Sequence, residues 1–541
     1  MNSSLYRWID NNILELGREM RLSYLPPLMV YMAAGISGIT AIVGTFFVKD
    51  YLDLSAGFLA ALGFWANIPW SLKMPFGHLV DLIWRWKSWL VFLGAGLIAI
   101  SLLIMAGLLT DREAMIAIMP AGAWFVLSTL LAPVGYMMQD SVADAMTVEA
   151  VPRVDEQGKP YDPATLKLMH TTMQTLGRVA IIGGAVLVAL INFYVFSNAE
   201  MLTAAEQAAV YREVYLMALS IPLISVAGIV VAVYVKHRQK KHLLARGVGL
   251  EEVRRIQMQV IEKTMPNWWI LGGGIAFVVF TLAMGFSEYE YSQEIIFTGS
   301  LAIVCFLIAR LTRELTPQAR GTLIGTAIII FVFRAVPATG PGATWWMIDE
   351  LGFDQKFFSV LSLIGSTLTL AGMFIFRRFM AERSIAYVVG ALTIAGTLLT
   401  LPTLGMYYGL HEWTAAHTSG VVNARFIALV NTALESPLGQ IAMIPMLAWI
   451  AHSAPSNLKA TYFAVMASFT NLALSLAQLS TKYLNQAFVV TREVRDLSTN
   501  AIHVPSDYSR LGDIIIAVIL IGLVAPFAAI LVVRMGRLKW A

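Results

Sequence analysis

The sequence predicts an all-α polytopic membrane protein of about fourteen spans, built as two six-helix bundles with two further transmembrane helices inserted between them. Three observations carry that prediction. The 541 residues are 58% hydrophobic and 13% charged, roughly half the charged share of a soluble globular chain. Apolar runs of roughly 18 residues or more, enough to cross hydrocarbon, recur along the chain. A densely basic stretch divides them, leaving about six before it and about eight after, of which the first two form a separate pair. The net charge of +4 is therefore read by position, and no nucleic-acid signature accompanies it.

Taken in order, Met1 to Arg21 mixes Arg7, Arg18 and Arg21 with Asp10, Glu15 and Glu19. It has no apolar core followed by a small-residue cleavage site, so no cleaved signal peptide is expected. Trp8, Ile9, Ile13 and Leu16 fit a short interfacial helix or, equally, a frayed terminus. Spans are then expected at 22–48, 56–80, 89–109, 114–147, 166–193 and 215–235, with a polar segment holding Asp155, Glu156, Gly158 and Pro160 after the fourth. From Lys236 to Lys263 the chain is basic, and Val253, Ile256 and Val260 give it an apolar face, which suits a connector resting on anionic headgroups. The inserted spans, 268–286 and 295–311, have no ionisable residue in their cores. Six more are expected at 321–347, 357–376, 385–404, 424–450, 460–484 and 514–533. The corresponding units are 1–235, 236–320 and 321–541.

An even count of spans puts both termini on one side. Arg85, Lys87, the basic connector, Arg310, Arg313, Arg377, Arg378, Arg383, Arg534, Arg537 and Lys539 fall there too. The opposite loops hold Asp50, Asp53, Asp111, Glu288, Glu290 and Glu294. Positive charge marks the cytoplasmic side, so both termini are expected in the cytoplasm. A lone cysteine, Cys305, permits no intrachain disulfide; with short loops and no targeting segment, a bacterial inner membrane is the expected location.

The chain is organised around 136–150, where an apolar helix carries Gln139, Asp140, Ser141, Asp144 and Glu149. Asp140 and Asp144 are spaced i, i+4 and share a face. An ionised Asp at the centre of a span costs roughly 2.5–3.5 kcal/mol on insertion scales, so a cation or water must face them. Lys73 and Arg178 on neighbouring spans are the candidates.

At the end of the second span, Gly77, Asp81, Arg85 and Lys87 resemble the loop signature of the major facilitator superfamily. In that reading Gly77 allows close helix approach, and Asp81, Arg85 and Lys87 form a conformational latch; an ordinary charged loop is the alternative. Longer stretches narrow the resemblance. Pro69 through Gly77 with Asp81, Gln139-Asp140 with Asp144-Ala145, Phe333 to Pro337, Leu351-Gly352-Phe353 and Ser362 to Ser366 resemble the folate-biopterin transporter family. So do Ile444 to Leu447, Pro455, Ala460 to Ala464 and Ser468 to Leu472. Lys459 departs from that family's acidic preference at its position. The inserted pair of spans and Gln139-Asp140 are also similar to muropeptide permeases of the AmpG type. The resemblance implies a major facilitator fold with two bundles rocking about a central site, the extra spans packed peripherally.

Among intramembrane ionisable residues, Arg178, Arg334 and Glu435 fall near mid-depth, Lys73 and Asp140 toward the cytoplasmic side, and Asp144 nearer the interface. Such charges face an interior or a cavity. Lys73, Arg178 and Arg334 against Asp140 and Glu435 leave one positive charge over, which suits an anionic organic substrate, as a folate or pterin would be. Gln174, one turn before Arg178, and Asn471 complete the candidate binding set of Lys73, Gln174, Arg178, Arg334 and Asn471. Glu435, Asp140 and Asp144 are the candidate proton carriers. Each has a structural alternative: Glu435 pairing with Arg334 or Asn431, Lys73 neutralising Asp140, Gln174 orienting Arg178, and Asn471 bonding between helices. Trp345 and Trp346 fit an aromatic belt, while Phe64, Trp65 and Trp70 fit core or lipid packing better than ring stacking.

No paired histidines with metal spacing, phosphate-cradling Gly loop or nucleotide-binding motif is present, so neither an enzyme nor an ATP-driven pump is expected, and no cofactor. The expected function is proton-coupled uptake of a folate- or pterin-like anion, with protons and membrane lipids as the other partners. A muropeptide or other amphiphilic solute permease, and a non-transporting membrane factor that delivers a cofactor or pigment, are the alternatives.

Overall fold

The computed structural model describes residues 14–540, except 53, 72, 153–160, 199–201, 248, 252, 254–265, 286, 288, 315, 377–382, 440, 442–458 and 496–501. The expected interfacial helix before Leu14, the polar segment 153–160, Ile256 and Val260 of the connector, Arg377 and Arg378, and the 444–447 and 455 motifs lie outside the described residues.

The first pass is α1 (Leu25–Ile36) and α2 (Ala41–Tyr51), joined by a 3-10 turn at Ser37–Thr40. The second is α3 (Ala56–Ser71) and α4 (Lys73–Leu82). Then come α5 (Ser88–Thr110), α6 (Ala121–Ala150) and α7 (Pro163–Val195). The sixth pass is α8 (Ala204–Ala218) running into α9 (Ser220–Ala245). The inserted hairpin is α10 (Trp268–Gly285) and α11 (Ser292–Leu311). The second bundle comprises α12 (Pro317–Arg334), α13 (Pro341–Asp349), α14 (Gln355–Ile375), α15 (Ile385–Tyr407), α16 (Ala424–Glu435), α17 (Lys459–Ala487) and α18 (Leu511–Met535). A two-stranded antiparallel hairpin, β1 (Val494–Arg495) and β2 (Ile502–Val504), precedes α18.

Among the described residues, ten helices are long and apolar enough to cross a membrane. The other expected passes fall to α3–α4, α12–α13, α16 and α17; of these α12–α13 is interrupted, and α16 is short among the described residues. Two boundaries differ from the sequence reading. The fourth pass starts at Ala121 rather than 114, because Asp111 caps a separate short helix (Arg112–Ile118) by accepting from Ala114 N at 3.1 Å. The sixth starts at Ala204 rather than 215, because Thr203 and Glu206 form a reciprocal capping box.

The ninth pass is the largest departure. It was expected as one run over 321–347, but the helix stops at Arg334 and resumes at Pro341. Gly340 takes φ +81° there, a conformation that favours glycine. A backbone broken inside a bundle must find other partners, and α17 supplies them. Thr481 Oγ1 accepts from Ala338 N at 3.0 Å, and Asn485 Nδ2 donates to Thr339 O at 3.3 Å and to Thr481 O at 2.9 Å.

Close packing in the first bundle depends on small residues, though not on Gly77, which meets nothing within 4 Å of a Cβ position. The close approaches lie elsewhere. A Cβ on Gly94 (α5) would sit 2.6 Å from Gly135 O (α6), and the reverse holds at the same distance. A Cβ on Gly35 (α1) would sit 2.1 Å from Ile181 O (α7). These contacts let backbones touch where lipid gives helices no hydrophobic reason to associate.

The inserted hairpin is not merely peripheral. Phe277, Ile296 and Val304 share one apolar cluster with Phe64 and Ile68 of α3 and with Met466, Phe469 and Leu472 of α17. Glu294, expected in a loop, lies in the first turn of α11 and pairs with Lys482 of α17 at 3.1 Å; Tyr483 also donates to it. Gln293 donates to Ala61 O of α3 at 3.3 Å, and His78 Nε2 of α4 accepts from Asn267 N at 2.9 Å.

Candidate functional site

The charged residues of the first bundle converge on Lys73, the first residue of α4. Its ammonium lies 2.5 Å from Asp140 Oδ2 and 2.7 Å from Asp144 Oδ2. The i, i+4 spacing on α6 makes this possible, since one ammonium reaches two carboxylates stacked a turn apart. The other oxygen of Asp144 accepts from the Tyr31 hydroxyl of α1 at 2.6 Å. Tyr31 is 5% exposed. Arg178 on α7 stands within electrostatic reach of Asp140 and Tyr31, and Gln174, a turn earlier, donates to Thr147 Oγ1 at 3.2 Å. Thr147 in turn donates to Asp144 O at 2.7 Å. Thus four helices and one half-buried cation–carboxylate cluster form a single site.

Asp144 thus joins Asp140 as a partner of Lys73. The charge count changes accordingly. With Asp144 counted, Lys73, Arg178 and Arg334 balance Asp140, Asp144 and Glu435, three cations against three carboxylates, and the surplus expected from sequence disappears. Gln139, the neighbour of Asp140, points away from this site: it donates to Val91 O at 3.2 Å and accepts from Ser225 Oγ at 2.9 Å. One amide thereby fixes α6 against α5 and α9, which orients the acidic face toward α4.

Below this cluster Lys87 is 5% exposed. Its ammonium pairs with Glu149 Oε1 of α6 at 2.8 Å and sits 3.7 Å over the Trp84 ring, while Lys236 of α9 reaches Glu149 Oε2 at 3.3 Å. Glu149 is thus the acidic partner at this end. The side chains of Asp81 and Arg85 lie outside the described set.

At the opposite end the two bundles are tied together. Lys49 of α2 pairs with Asp349 of α13 at 2.7 Å, and Tyr508 donates to the same carboxylate at 2.5 Å. Burial and the Asp349 carboxylate push the Tyr508 hydroxyl far above its ordinary range, so it stays a donor. Arg492 donates to Lys49 O at 2.8 Å and Leu54 O at 2.9 Å and covers the Trp345 ring at 4.6 Å. Gln355 of α14 donates to Tyr211 of α8 at 2.7 Å. Trp345 and Trp346 are 2% and 5% exposed, buried with Val490, Tyr508 and Leu511 rather than standing in an aromatic belt. A Cβ on Gly122 at the start of α6 would lie 3.7 Å from Leu54 Cδ2, whereas Glu149 lies near the end of α6, so that helix separates the two ends by roughly 40 Å.

The remaining candidates stand apart from the Lys73 cluster. Arg334 is half-buried as the last residue of α12, where the negative end of the helix dipole favours a cation. Asn471 of α17 donates to Trp70 O at 3.1 Å, a bond between the bundles. Glu435 is exposed at the end of α16. Phe64 is fully buried and packs edge-on to Trp65 at 5.8 Å, leaving no face for a ligand. Sequence reasoning missed Tyr31, Thr147, Glu149, Lys49, Asp349 and Arg492 as partners. Of these, Glu149 carried a signal as a charge on the central apolar helix, and Lys49 and Asp349 as charges flanking predicted spans.

The sequence model of the BT1 family matches residues 34–537. The folate-biopterin transporter of Synechocystis sp. is 22% identical over 476 residues, covering 87% of this chain and 76% of that protein. A solved POT family transporter in complex with 5-aminolevulinic acid superposes with TM-score 0.57 at 12% identity, over 95% of this chain and 96% of that one. A nucleoside transporter superposes with TM-score 0.52 at 12% identity, over 94% and 99%. At these identities the two structures speak for the fold alone.

Proposed function

The chain belongs to the BT1 family and is a multi-pass membrane transporter rather than an enzyme; from that premise we propose that it takes up a folate- or pterin-like organic anion together with protons, by alternating access. The observation that carries the proposal is two carboxylates, Asp140 and Asp144, on the single ammonium of Lys73. Alone, that trio bears one net negative charge. With Arg178 nearby the site is neutral, and a neutral site needs no proton.

Binding of a substrate carboxylate to Arg178 changes the sum. The guanidinium is then committed to the ligand, and the trio regains its uncompensated charge, which one proton cancels. Anion and proton thus load together, which is the logic of a symporter. Asp140 or Asp144 holds the proton, and Tyr31 can follow the change because its hydroxyl donates to a carboxylate or accepts from a carboxylic acid. Gln174 orients the Arg178 side of the pocket. Arg334 serves the second bundle's side of the path, and Asn471 spans the bundle interface.

The bundles move as 1–235 and 321–541, with 236–320 carrying the inserted hairpin. The structure's closed end, at Asp349, is the outer gate in this reading, and the Lys87–Glu149–Lys236 end is cytoplasmic. Arg238, Lys240, Lys241, Arg534 and Arg537 cluster toward the latter end in sequence, which supports cytoplasmic termini and a bacterial inner membrane.

The test is uptake of labelled folate and a small pterin into proteoliposomes under an imposed pH gradient. Accumulation that collapses with a protonophore and with Asp144→Asn is expected. Accumulation that survives both would overturn proton coupling at this site, and absence of uptake by inserted wild-type protein would overturn the substrate class.

A further inference from the structure

The charge cluster of the first bundle uses none of α16, whose faces are sharply different. Phe426, Val430 and Leu434 recur every fourth residue and are 43%, 43% and 58% exposed, the apolar stripe of a helix turned to lipid. At about 100° per residue, Ala424, Ala428, Asn431 and Glu435 fall on the other side. Ala424 and Ala428 are buried, so that side is turned to protein. Glu435 lies on it and is nevertheless exposed. The Glu435 carboxylate is therefore accessible and turned away from the apolar stripe.

Its neighbour one turn back is equally unsatisfied. The Asn431 side-chain oxygen is buried without a hydrogen-bond partner, and among the described residues no hydrogen bond or ion pair reaches Glu435. The backbone around them is held firmly. Ser436 Oγ donates back to Thr432 O at 2.6 Å, and Thr369 of α14 donates to Ser436 O at 2.9 Å. A Cβ on Gly372 of α14 would lie 2.3 Å from Pro437 O, so α14 is pressed against the turn that ends α16. Two acceptors are thus presented by a fixed helix end, spaced i, i+4 on one face.

An ionised carboxylate has no proton to donate and accepts two parallel N–H bonds at once. Its complement is a group with adjacent N–H donors. Resting on the folate or pterin reading above, we infer that Glu435 recognises the aminopyrimidinone edge of the substrate. One carboxylate oxygen accepts from the ring N–H and the other from the exocyclic amine, and Asn431 Oδ1 accepts the amine's second hydrogen. The substrate then spans the bundles, its anionic end on Arg178 and its heterocycle on α16. Glu435 becomes a specificity residue rather than a proton carrier.

The experiment compares uptake of pterin-6-carboxylate, called pterin below, with uptake of the analogue in which the 2-amino group is replaced by methyl, in proteoliposomes of the full chain under a pH gradient. A site built for a donor rejects an analogue lacking it strongly, so wild type is expected to prefer pterin at least about 100-fold in kcat/KM. Glu435→Gln should lower pterin uptake at least about 30-fold and the analogue's by less than about threefold, with Asn431→Ala shifting the ratio the same way but less. Asn431→Ala also serves if Glu435→Gln fails to insert. Equal uptake of the two compounds by wild type overturns the inference and leaves the transport reading standing. So does a Glu435→Gln protein that retains the preference, or one that loses gradient-driven accumulation while still exchanging pterin, since Glu435 would then move protons. Wild type that takes up neither pterin nor folate overturns both readings.

Discussion

The two bundles handle buried polarity in opposite ways. In the first, charges on α4, α6 and α1 satisfy one another around Lys73, and the helices that carry them are continuous or nearly so. In the second, the helices themselves are interrupted, at 335–340 and after Glu435, and Glu435, at one interruption, meets no hydrogen bond or ion pair among the described residues. The difference separates two tasks. A self-neutralised cluster stores a charge balance that a ligand can disturb, whereas acceptors left open at a helix end are ready to be filled.

Breaking the cluster should produce the largest effect. Lys73→Ala leaves two carboxylates facing each other without a cation, and removing one partner of a buried pair costs about 3–5 kcal/mol. Thermal unfolding in detergent should show a large fall in Tm, partly restored by the double change Lys73→Ala with Asp140→Ala. Asp144→Asn is milder, about 1–2 kcal/mol, because Asp140 keeps its pair and Tyr31 can still donate to the amide. Its functional signature is sharper: uptake should lose its dependence on the pH gradient. If Tm falls but coupling persists, the cluster is structural and the proton travels elsewhere.

In the second bundle the comparable risk lies in the backbone. Asn485→Ala strips partners from the Thr339 and Thr481 carbonyls at a site 4% exposed, an expected loss of about 1–3 kcal/mol. Glu435→Gln should be nearly silent in stability, within about 0.5 kcal/mol, since nothing among the described residues pairs with it. A Tm fall as large as that of Lys73→Ala would erase the contrast between the bundles.

Much of this was legible from sequence. Asp140 and Asp144 at i, i+4, with Lys73 on a neighbouring span, are enough to locate the cluster from sequence. What went astray did so for definite reasons. Asp144, read as nearer the interface than Asp140, nonetheless shares Lys73 with it, because depth along a span does not say which neighbours a side chain meets. Tyr31 had no signal, because its partnership is a contact between α1 and α6 that no local pattern encodes. The break of the ninth pass did have one: Pro337, Gly340 and Pro341 within a few residues punctuate a helix. Apolar length masked it. Trp345 and Trp346 followed the same error, since a helix assumed continuous would carry them to the membrane surface instead of into the closure beneath Arg492.

The charge balance at Lys73 reaches beyond binding, to voltage. If one proton loads for each charge given to Arg178, a monoanionic pterin crosses with no net charge and is indifferent to the membrane potential. A dianionic folate carries one charge uncompensated. Against 100 mV, negative inside, that charge costs about 2.3 kcal/mol, or about fiftyfold in the attainable accumulation ratio. Two ligands held equally well by the same residues would therefore be concentrated to very different levels, sorted by the electric field rather than by the protein.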